Sequence, residues 1–185
     1  MIFLLNSLDS YESSQCTNDI KLAKTGDKEA FCRIINDNKN QLYKIAKSIV
    51  YIECDIEDAL QETILKAWLQ INSLKRDEFF KSWLIRILIN ECYGILRKRS
   101  KVISLSETMA SESTEVDSNL KIDISNALKS LSYELRVVVV LFYFEDMSYK
   151  EIASILNIAE GTVKSRLFRS KTKLEVNLNF AVGGK

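Results

Sequence analysis

The chain of 185 residues contains no histidine and no proline. Without histidine it lacks the usual general base, proton shuttle and metal ligand at neutral pH. Without proline, no helical run contains the residue that most strongly breaks one. The four cysteines, Cys16, Cys32, Cys54 and Cys92, form no C-x-x-C pair, so neither a zinc site nor a dithiol redox motif is indicated. They read as reduced thiols packed mostly as small buried apolar groups. No stretch approaches the roughly 20 apolar residues of a membrane-spanning helix. The nearest, WLIRILI, is broken by Arg86 and followed by Asn90 and Glu91. The opening MIFLLNSLDS is apolar for five residues only, with no basic segment before them, so it is not expected to be a secretory signal. A large net charge is missing too: 26 Lys and Arg against 25 Asp and Glu leave +1. These absences point to a soluble, cytoplasmic chain with no metal, no cofactor and no nucleophile–base pattern, and they set an enzyme aside.

The charge that is present is uneven. Arg97, Lys98, Arg99 and Lys101 form one basic cluster, and a helix near the C-terminus forms another. Between them lie Glu107, Glu112, Glu115 and Asp117. Such local asymmetry carries more information than the sum. The organisation that follows is all-α: two small helical domains joined by a flexible acidic linker. Residues 1–20 are expected to be a mobile extension and 21–100 a helical block. The run KVISLSETMASESTEVDSN, 101–119, is a Ser/Thr/acid-rich linker. Residues 120–178 form a second helical block and 179–185 a frayed tail. The run VVVVLFYF is β-prone by composition, but its flanks argue for a buried helix. There is no internal repeat.

The stretch SYKEIASILNIAEGTVKSRLFRSKTKL, Ser148–Leu174, reads as a helix, a tight turn and a second, basic helix. Ser148 and Glu151 have the spacing of a capping box. Asn157 can take the left-handed conformation that ends a helix. In the second helix, from about Gly161, Val163, Leu167, Ser170 and Leu174 fall on one inward stripe. At about 100° per residue, Ser165, Phe168, Arg169 and Thr172 point outward, with Lys164, Arg166, Lys171 and Lys173 on the flanks. An apolar seam opposite a basic and hydroxyl-bearing face suits a helix that enters a DNA major groove. A basic face is also compatible with an amphipathic hairpin whose cations are merely solvated; the capping box, short turn and basic helix together favour DNA.

Two further helices stand out. In DIEDALQETILKAW, Asp55–Trp68, the residues Ile56, Leu60, Thr63, Ile64 and Ala67 face inward, whereas Asp58, Gln61, Glu62 and Leu65 share the outward face. An apolar contact ringed by acceptors fits a basic protein partner. A solvated acidic face with one stray leucine fits the residues equally well. In WLIRILINECYGILRKRSK, Trp83–Lys101, the residues Arg86, Asn90, Tyr93 and Arg97 recur at i, i+4, i+7 and i+11 along an otherwise apolar helix. This stripe ends in the basic cluster and follows the loop INSLKRDEFF. Cations interleaved with aromatics suit a surface that holds phosphates and stacks unpaired bases. Phe79 and Phe80 are expected in the core.

Taken together, these segments resemble the extracytoplasmic-function group of bacterial sigma factors, over about Leu22 to Leu174. DIEDALQETILKAW is similar to the segment that grips the clamp helices of core RNA polymerase, which assigns Asp58, Gln61, Glu62 and Leu65 to that contact. FFKSWLIRILINECYGILRKR is similar to the segment that melts and reads the −10 promoter element, which implicates Trp83, Arg86, Asn90, Tyr93, Arg97, Lys98 and Arg99. The segment from Leu131 to Leu174 is similar to the domain that reads the −35 element, which implicates Thr162, Lys164, Ser165, Arg166, Phe168, Arg169, Lys171, Thr172 and Lys173. Three such motifs in order are specific together, since helix-turn-helix units alone occur in many regulators.

The chain departs from the family pattern at a few positions. Gly94 stands where an aspartate is usual and suggests a bend or close packing. Ile89 replaces a frequent basic residue, Ser132 a common proline and Ser170 an alanine. These departures leave the promoter sequence open. The resemblance implies a protein that binds core RNA polymerase and promoter DNA, takes no small-molecule substrate, and answers to an anti-sigma factor, often membrane-bound, until stress releases it. At about 3.3–3.6 Å per residue, the roughly 19-residue linker spans about 65 Å. Promoter elements one and a half turns apart lie about 50–55 Å from each other. A stand-alone helix-turn-helix regulator, with the N-terminal helices serving dimerisation or sensing, is the alternative.

Overall fold

A computed structural model describes the backbone of residues 16–105 and 126–182 and the side chains of 16–100 and 126–175. Among the described residues there are helices and turns and no strand. The order is α1 (16–24), α2 (Lys28–Ile49), α3 (Glu53–Gln70), two 3-10 turns (Ile71–Ser73 and Asp77–Phe79) and α4 (Phe80–Leu105). After the undescribed segment come α5 (126–129), α6 (Tyr133–Val139) running into a π-turn (Val140–Phe144), α7 (Tyr149–Leu156) and α8 (Glu160–Val182).

Local chemistry sets the breaks. Gly26 has φ +96 and closes α1: the Asp27 N–H donates to Leu22 O and the Gly26 N–H to Ala23 O. This double bond around a left-handed residue satisfies the last carbonyls of a helix, and glycine adopts it without strain. Asp27 then caps α2, its Oδ1 accepting from the Glu29 and Ala30 N–H groups at 2.9 and 3.0 Å. Asn157 repeats the α1 solution at the end of α7, with φ 54 and Ile158 N–H donating to Ala153 O.

In the N-terminal half, α2, α3 and α4 pack as a bundle around Ile34, Ile45, Ile56, Leu84 and Leu88, all fully buried. Phe31 meets Trp68 edge to face at 5.1 Å. Salt bridges tie the periphery: Arg33 to Asp19 at 2.6 Å and Lys24 to Asp77 at 2.5 Å. Residues 16–20, expected in a mobile extension, are helical, with Asp19 and Ile20 buried. The reason is the Arg33 partner and an apolar slot on α2; residues 1–15 lie outside the described residues. Helix α4 runs five residues into the stretch expected to be a linker, and α8 reaches Val182, into the expected tail. The rest of the linker lies outside the described residues. Cysteines were expected mostly in the interior, but only Cys92 is buried, while Cys32 and Cys54 are exposed on helix faces turned from the core.

The C-terminal half packs α6 on α8 and α7 on α8 around Val138, Val140, Leu141, Ile152 and Val163. VVVVLFYF is helical as expected, but only its first part is buried: the π-turn rotates Tyr143 and Phe144 outward, 61% and 54% exposed.

The halves share one continuous apolar core, which extends from Ile20 to Leu167. At their junction sits Arg136, 7% exposed. Its guanidinium donates to the carbonyls of Leu128, Lys129 and Leu131 at 2.9, 3.1 and 2.9 Å, and to Ile49 O, at the end of α2, at 2.7 Å. It also lies 4.8 Å from the Tyr51 ring centroid. Burial lowers the Arg136 pKa from its ordinary value, yet the cation persists because a guanidinium stays charged far above neutrality. Arg136→Ala would strand three buried acceptors, on Leu128, Leu131 and Ile49, each costing about 1–3 kcal/mol. We expect a loss of at least ~3 kcal/mol in urea unfolding. Arg136→Lys, lacking the planar fork, should recover only a minor part.

Candidate nucleic-acid and protein-docking surfaces

Helix α3 presents Asp58, Gln61, Glu62 and Leu65 to solvent, while Ile56, Thr63 and Ala67 are buried and Leu60 and Ile64 half-buried. The outward face is longer than the sequence suggested. Leu69, 70% exposed, extends the row 58, 62, 65, 69 by another turn; the signal was the unbroken i, i+4, i+7, i+11 spacing. Between α3 and α4 runs a groove of about 450 Å³ lined by Asp58, Gln61, Glu62, Lys66, Glu91 and Lys98. Lys66 Nζ sits 2.7 Å from both Glu91 oxygens. Asp58 and Glu62 have no ion-pair partner among the described residues. The groove therefore presents two unneutralised carboxylates beside exposed apolar side chains.

Helix α4 buries Leu84, Ile85, Ile87, Leu88, Ile89 and Cys92 and exposes Arg86, Asn90 and Arg97, with Tyr93 44% exposed. The polar stripe is thus a continuous face, and Arg86 and Arg97 make no ion pair among the described residues. Gly94 lies within α4 with nothing within 4 Å of a Cβ built there, so close packing does not explain it. Trp83 is half-buried against Phe80, ring centroids 5.9 Å apart.

One expectation fails here. Phe80 is buried, but Phe79 is 50% exposed. Adjacent residues at a helix start point about 100° apart, so only one can face the core. The Arg76 guanidinium covers the Phe79 ring at 4.8 Å. Arg76 and Phe79 join Leu74, Trp83 and Arg86 along a cavity of about 530 Å³ whose far wall is Lys150 and Ile155 of α7. Arg76 was missed because the loop INSLKRDEFF gives no periodicity to orient its side chains. Arg99, also exposed, is held by an ion pair. Its Nε and Nη2 lie 2.6 and 2.8 Å from the two carboxylate oxygens of Asp55, itself buried. The pair ties α4 to α3. Lys98 is exposed and lines the α3–α4 groove.

The helix-turn-helix forms as expected. The Glu151 N–H donates to Ser148 Oγ and the Ser148 N–H to Glu151 Oε2 at 3.3 and 2.8 Å. These bonds from Ser148 hold the Glu151 carboxyl below its ordinary pKa. On α8, Val163, Leu167 and Ser170 are buried and Leu174 half-buried. Ser170 Oγ reaches Arg166 O at 2.7 Å and Leu135 O at 3.2 Å, so the serine fixes α8 to α6. Lys164, Ser165, Phe168, Arg169, Lys171, Thr172 and Lys173 are exposed; Thr162 and Arg166 are half-buried. Phe168 is 72% exposed. Arg169 is restrained only by a long bond from Nε to Ser165 O at 3.4 Å. Lys164 lies 5.5 Å from the Tyr149 ring centroid and Lys171 3.8 Å from Glu175. No group of His, Cys, Asp and Glu among the described residues could hold a metal ion, and none of the described helices is long and apolar enough to cross a membrane.

Residues 34–102 match the family model described as Sigma-70 region 2, and residues 121–174 match Sigma-70, region 4. RNA polymerase sigma factor SigV of Bacillus subtilis is 33% identical over 146 residues, 78% of this chain and 88% of that relative. ECF RNA polymerase sigma factor SigW of the same organism is 30% identical over 176 residues, covering 86% and 94%. Among solved structures, RpoE bound to the anti-sigma factor NepR, from Bartonella quintana, is 30% identical, with TM-score 0.68 and coverage of 80% and 96%. CnrH bound to the cytosolic domain of CnrY gives 0.70 at 25% identity, covering 89% and 97%.

The Asp55–Arg99 pair separates two kinds of basic residue in one cluster. On single-stranded DNA each phosphate contact contributes about 0.7 to the slope of log K against log salt. Arg97→Gln should lower that slope by about 0.7, whereas Arg99→Gln should leave it unchanged and instead lower the thermal midpoint. Titrations at three salt concentrations, with a melt of each variant, check both.

Proposed function

Because the chain belongs to the extracytoplasmic-function group of sigma factors, alternative sigma factors that direct RNA polymerase to promoters, we propose that its three exposed faces divide that task. The α3 face, Asp58, Gln61, Glu62, Leu65 and Leu69, docks on core RNA polymerase. Its free carboxylates meet basic side chains while the two leucines are desolvated, an apolar centre with a polar surround. The α4 stripe, Arg86, Asn90, Tyr93 and Arg97, with Trp83 and the Arg76–Phe79 stack, takes separated bases of the −10 element. Bases captured out of the duplex stabilise the melted state, so binding energy is used for strand separation. The outward face of α8, centred on Ser165, Phe168, Arg169 and Thr172, enters the major groove at the −35 element. Thr162, Lys164, Arg166, Lys171 and Lys173 meet the flanking phosphates and base edges. The observation that supports this assignment is the polar stripe on α4: three polar side chains and a tyrosine exposed in line, opposite buried Leu84, Ile85 and Leu88.

In this role the chain catalyses nothing itself and works in the cytoplasm, where the polymerase is. The solved relatives RpoE and CnrH, bound to NepR and to the cytosolic domain of CnrY, support an anti-sigma partner for this chain too.

Run-off transcription with purified core polymerase tests the whole proposal: adding the chain should confer initiation at a promoter that core alone ignores. Asp58→Lys with Glu62→Lys should weaken core binding by several kcal/mol, since repulsion replaces attraction, while folding shifts by only about 0.5 kcal/mol per site. Unchanged affinity in a titration would remove α3 from the interface.

Arg169→Ala separates base reading from phosphate contact. If the guanidinium reads a guanine edge, its loss should cost about 1–3 kcal/mol and relax preference at one base pair. Lys173→Ala should instead weaken all sequences alike and lower the salt slope by about one unit. A panel of −35 substitutions measured at two salt concentrations distinguishes the two patterns.

A further inference from the structure

A glycine in a helix interior is unfavourable: it gives up more backbone freedom on folding than any other residue and adds no side chain. Gly94 lies well inside α4, and nothing among the described residues calls for it there. Its φ is not positive, unlike that of Gly26. Outside its own helical turn, no atom of the described residues lies within 4 Å of where its Cβ would stand. Helix α4 continues unbroken past it to Leu105. Turn geometry, close packing and a helix end are the usual reasons for a glycine, and none applies. What Gly94 does is line the α3–α4 groove of about 450 Å³. Glu91, Gly94, Ile95 and Lys98 recur at i, i+3, i+4 and i+7, so they share the face that forms the α4 wall, beside the Tyr93 and Arg97 stripe. On the α3 wall stand Asp58 and Glu62, which have no ion-pair partner among the described residues, while Lys66 and Glu91 neutralise each other. With Lys98 counted, the lining keeps an excess of one negative charge. The missing side chain thus leaves a notch in one wall, and the other wall carries two free carboxylates.

We propose that Gly94 is a specificity-determining residue of the contact with core polymerase: an arginine or lysine of the polymerase lays its aliphatic stem on the α4 backbone at Gly94 and carries its cation to Asp58 and Glu62. Such a side chain has an apolar stem and a charged head, which match a wall without a side chain and a wall with carboxylates. Any residue larger than glycine narrows the notch. The helix gives up stability to keep it open, as functional positions commonly do. The inference rests on the assignment of the α3 face to core polymerase and extends that contact onto α4.

Gly94→Ala and Gly94→Leu in the full chain, each titrated with purified core polymerase, test it. Both side chains enter open space and favour a helix, so the thermal midpoint should rise, by about 2–4 °C for alanine. Core affinity should fall nonetheless, a few-fold for alanine and about tenfold or more for leucine, because a side chain built into a close contact repels the partner. Wild-type core affinity in a folded Gly94→Leu chain overturns the inference. So does an equal loss with alanine and leucine, which would mean that the glycine serves by bending α4 and not by leaving space. A loss confined to −10 strand capture, with core affinity intact, also overturns it and places Gly94 with the stripe. The chain carrying Asp58→Lys and Glu62→Lys keeps the two readings apart. If it binds core as the wild type does, the α3 assignment fails; if it is weakened while Gly94→Leu is not, only the role of Gly94 fails.

Discussion

One buried cation organises the join between the two halves. Arg136 has no carboxylate near it; carbonyl oxygens at the ends of two helical segments replace water around its guanidinium. Helix C-termini carry partial negative charge and unsatisfied acceptors. A planar group with five donors can satisfy several of them at once. The end of α2, the α5–α6 turn and the ring of Tyr51 are therefore held in one geometry by a single side chain. That geometry places Tyr133 on α4 and sets α7 beside Trp83. The apolar core could follow many relative orientations of two helical bundles; directional bonds to fixed carbonyls select one.

Helix α4 answers to two constraints. It buries Leu84, Ile85 and Leu88 to hold the N-terminal bundle, and it keeps a row of hydrogen-bonding and aromatic groups exposed. The row can be continuous only because residues at i, i+4, i+7 and i+11 share a face. The two ion pairs between α3 and α4, Asp55–Arg99 and Lys66–Glu91, hold the outward face of α3 and the stripe at a fixed offset.

Much of this was legible in the residues. Amphipathic spacing gave the inward stripes of α3, α4 and α8. The Ser148–Glu151 cap and the Asn157 turn followed from side chains that bond to their own backbone. Local geometry decides such features, and sequence carries local geometry directly. Neighbouring residues that must choose between inside and outside without periodicity were less legible. Phe79 and Phe80 are chemically identical, and the direction in which the chain enters α4 decides between them. Residues 16–20 looked polar and were expected to be mobile; the docking of Asp19 on Arg33 could not be seen without α2 beside them.

By itself the sequence determined the helical class, the helix-turn-helix, the three outward faces and the family they match, because each depends on spacing within one element. Only the tertiary structure decided that Arg99 pairs with Asp55, that Arg136 is buried among carbonyls, and that Tyr133 packs beside Tyr93. Each of these depends on which distant segments meet. A charged side chain looks the same in the sequence whether it faces water, a phosphate or a buried carboxylate 44 residues away, and only the packing of helices determines which of these it meets.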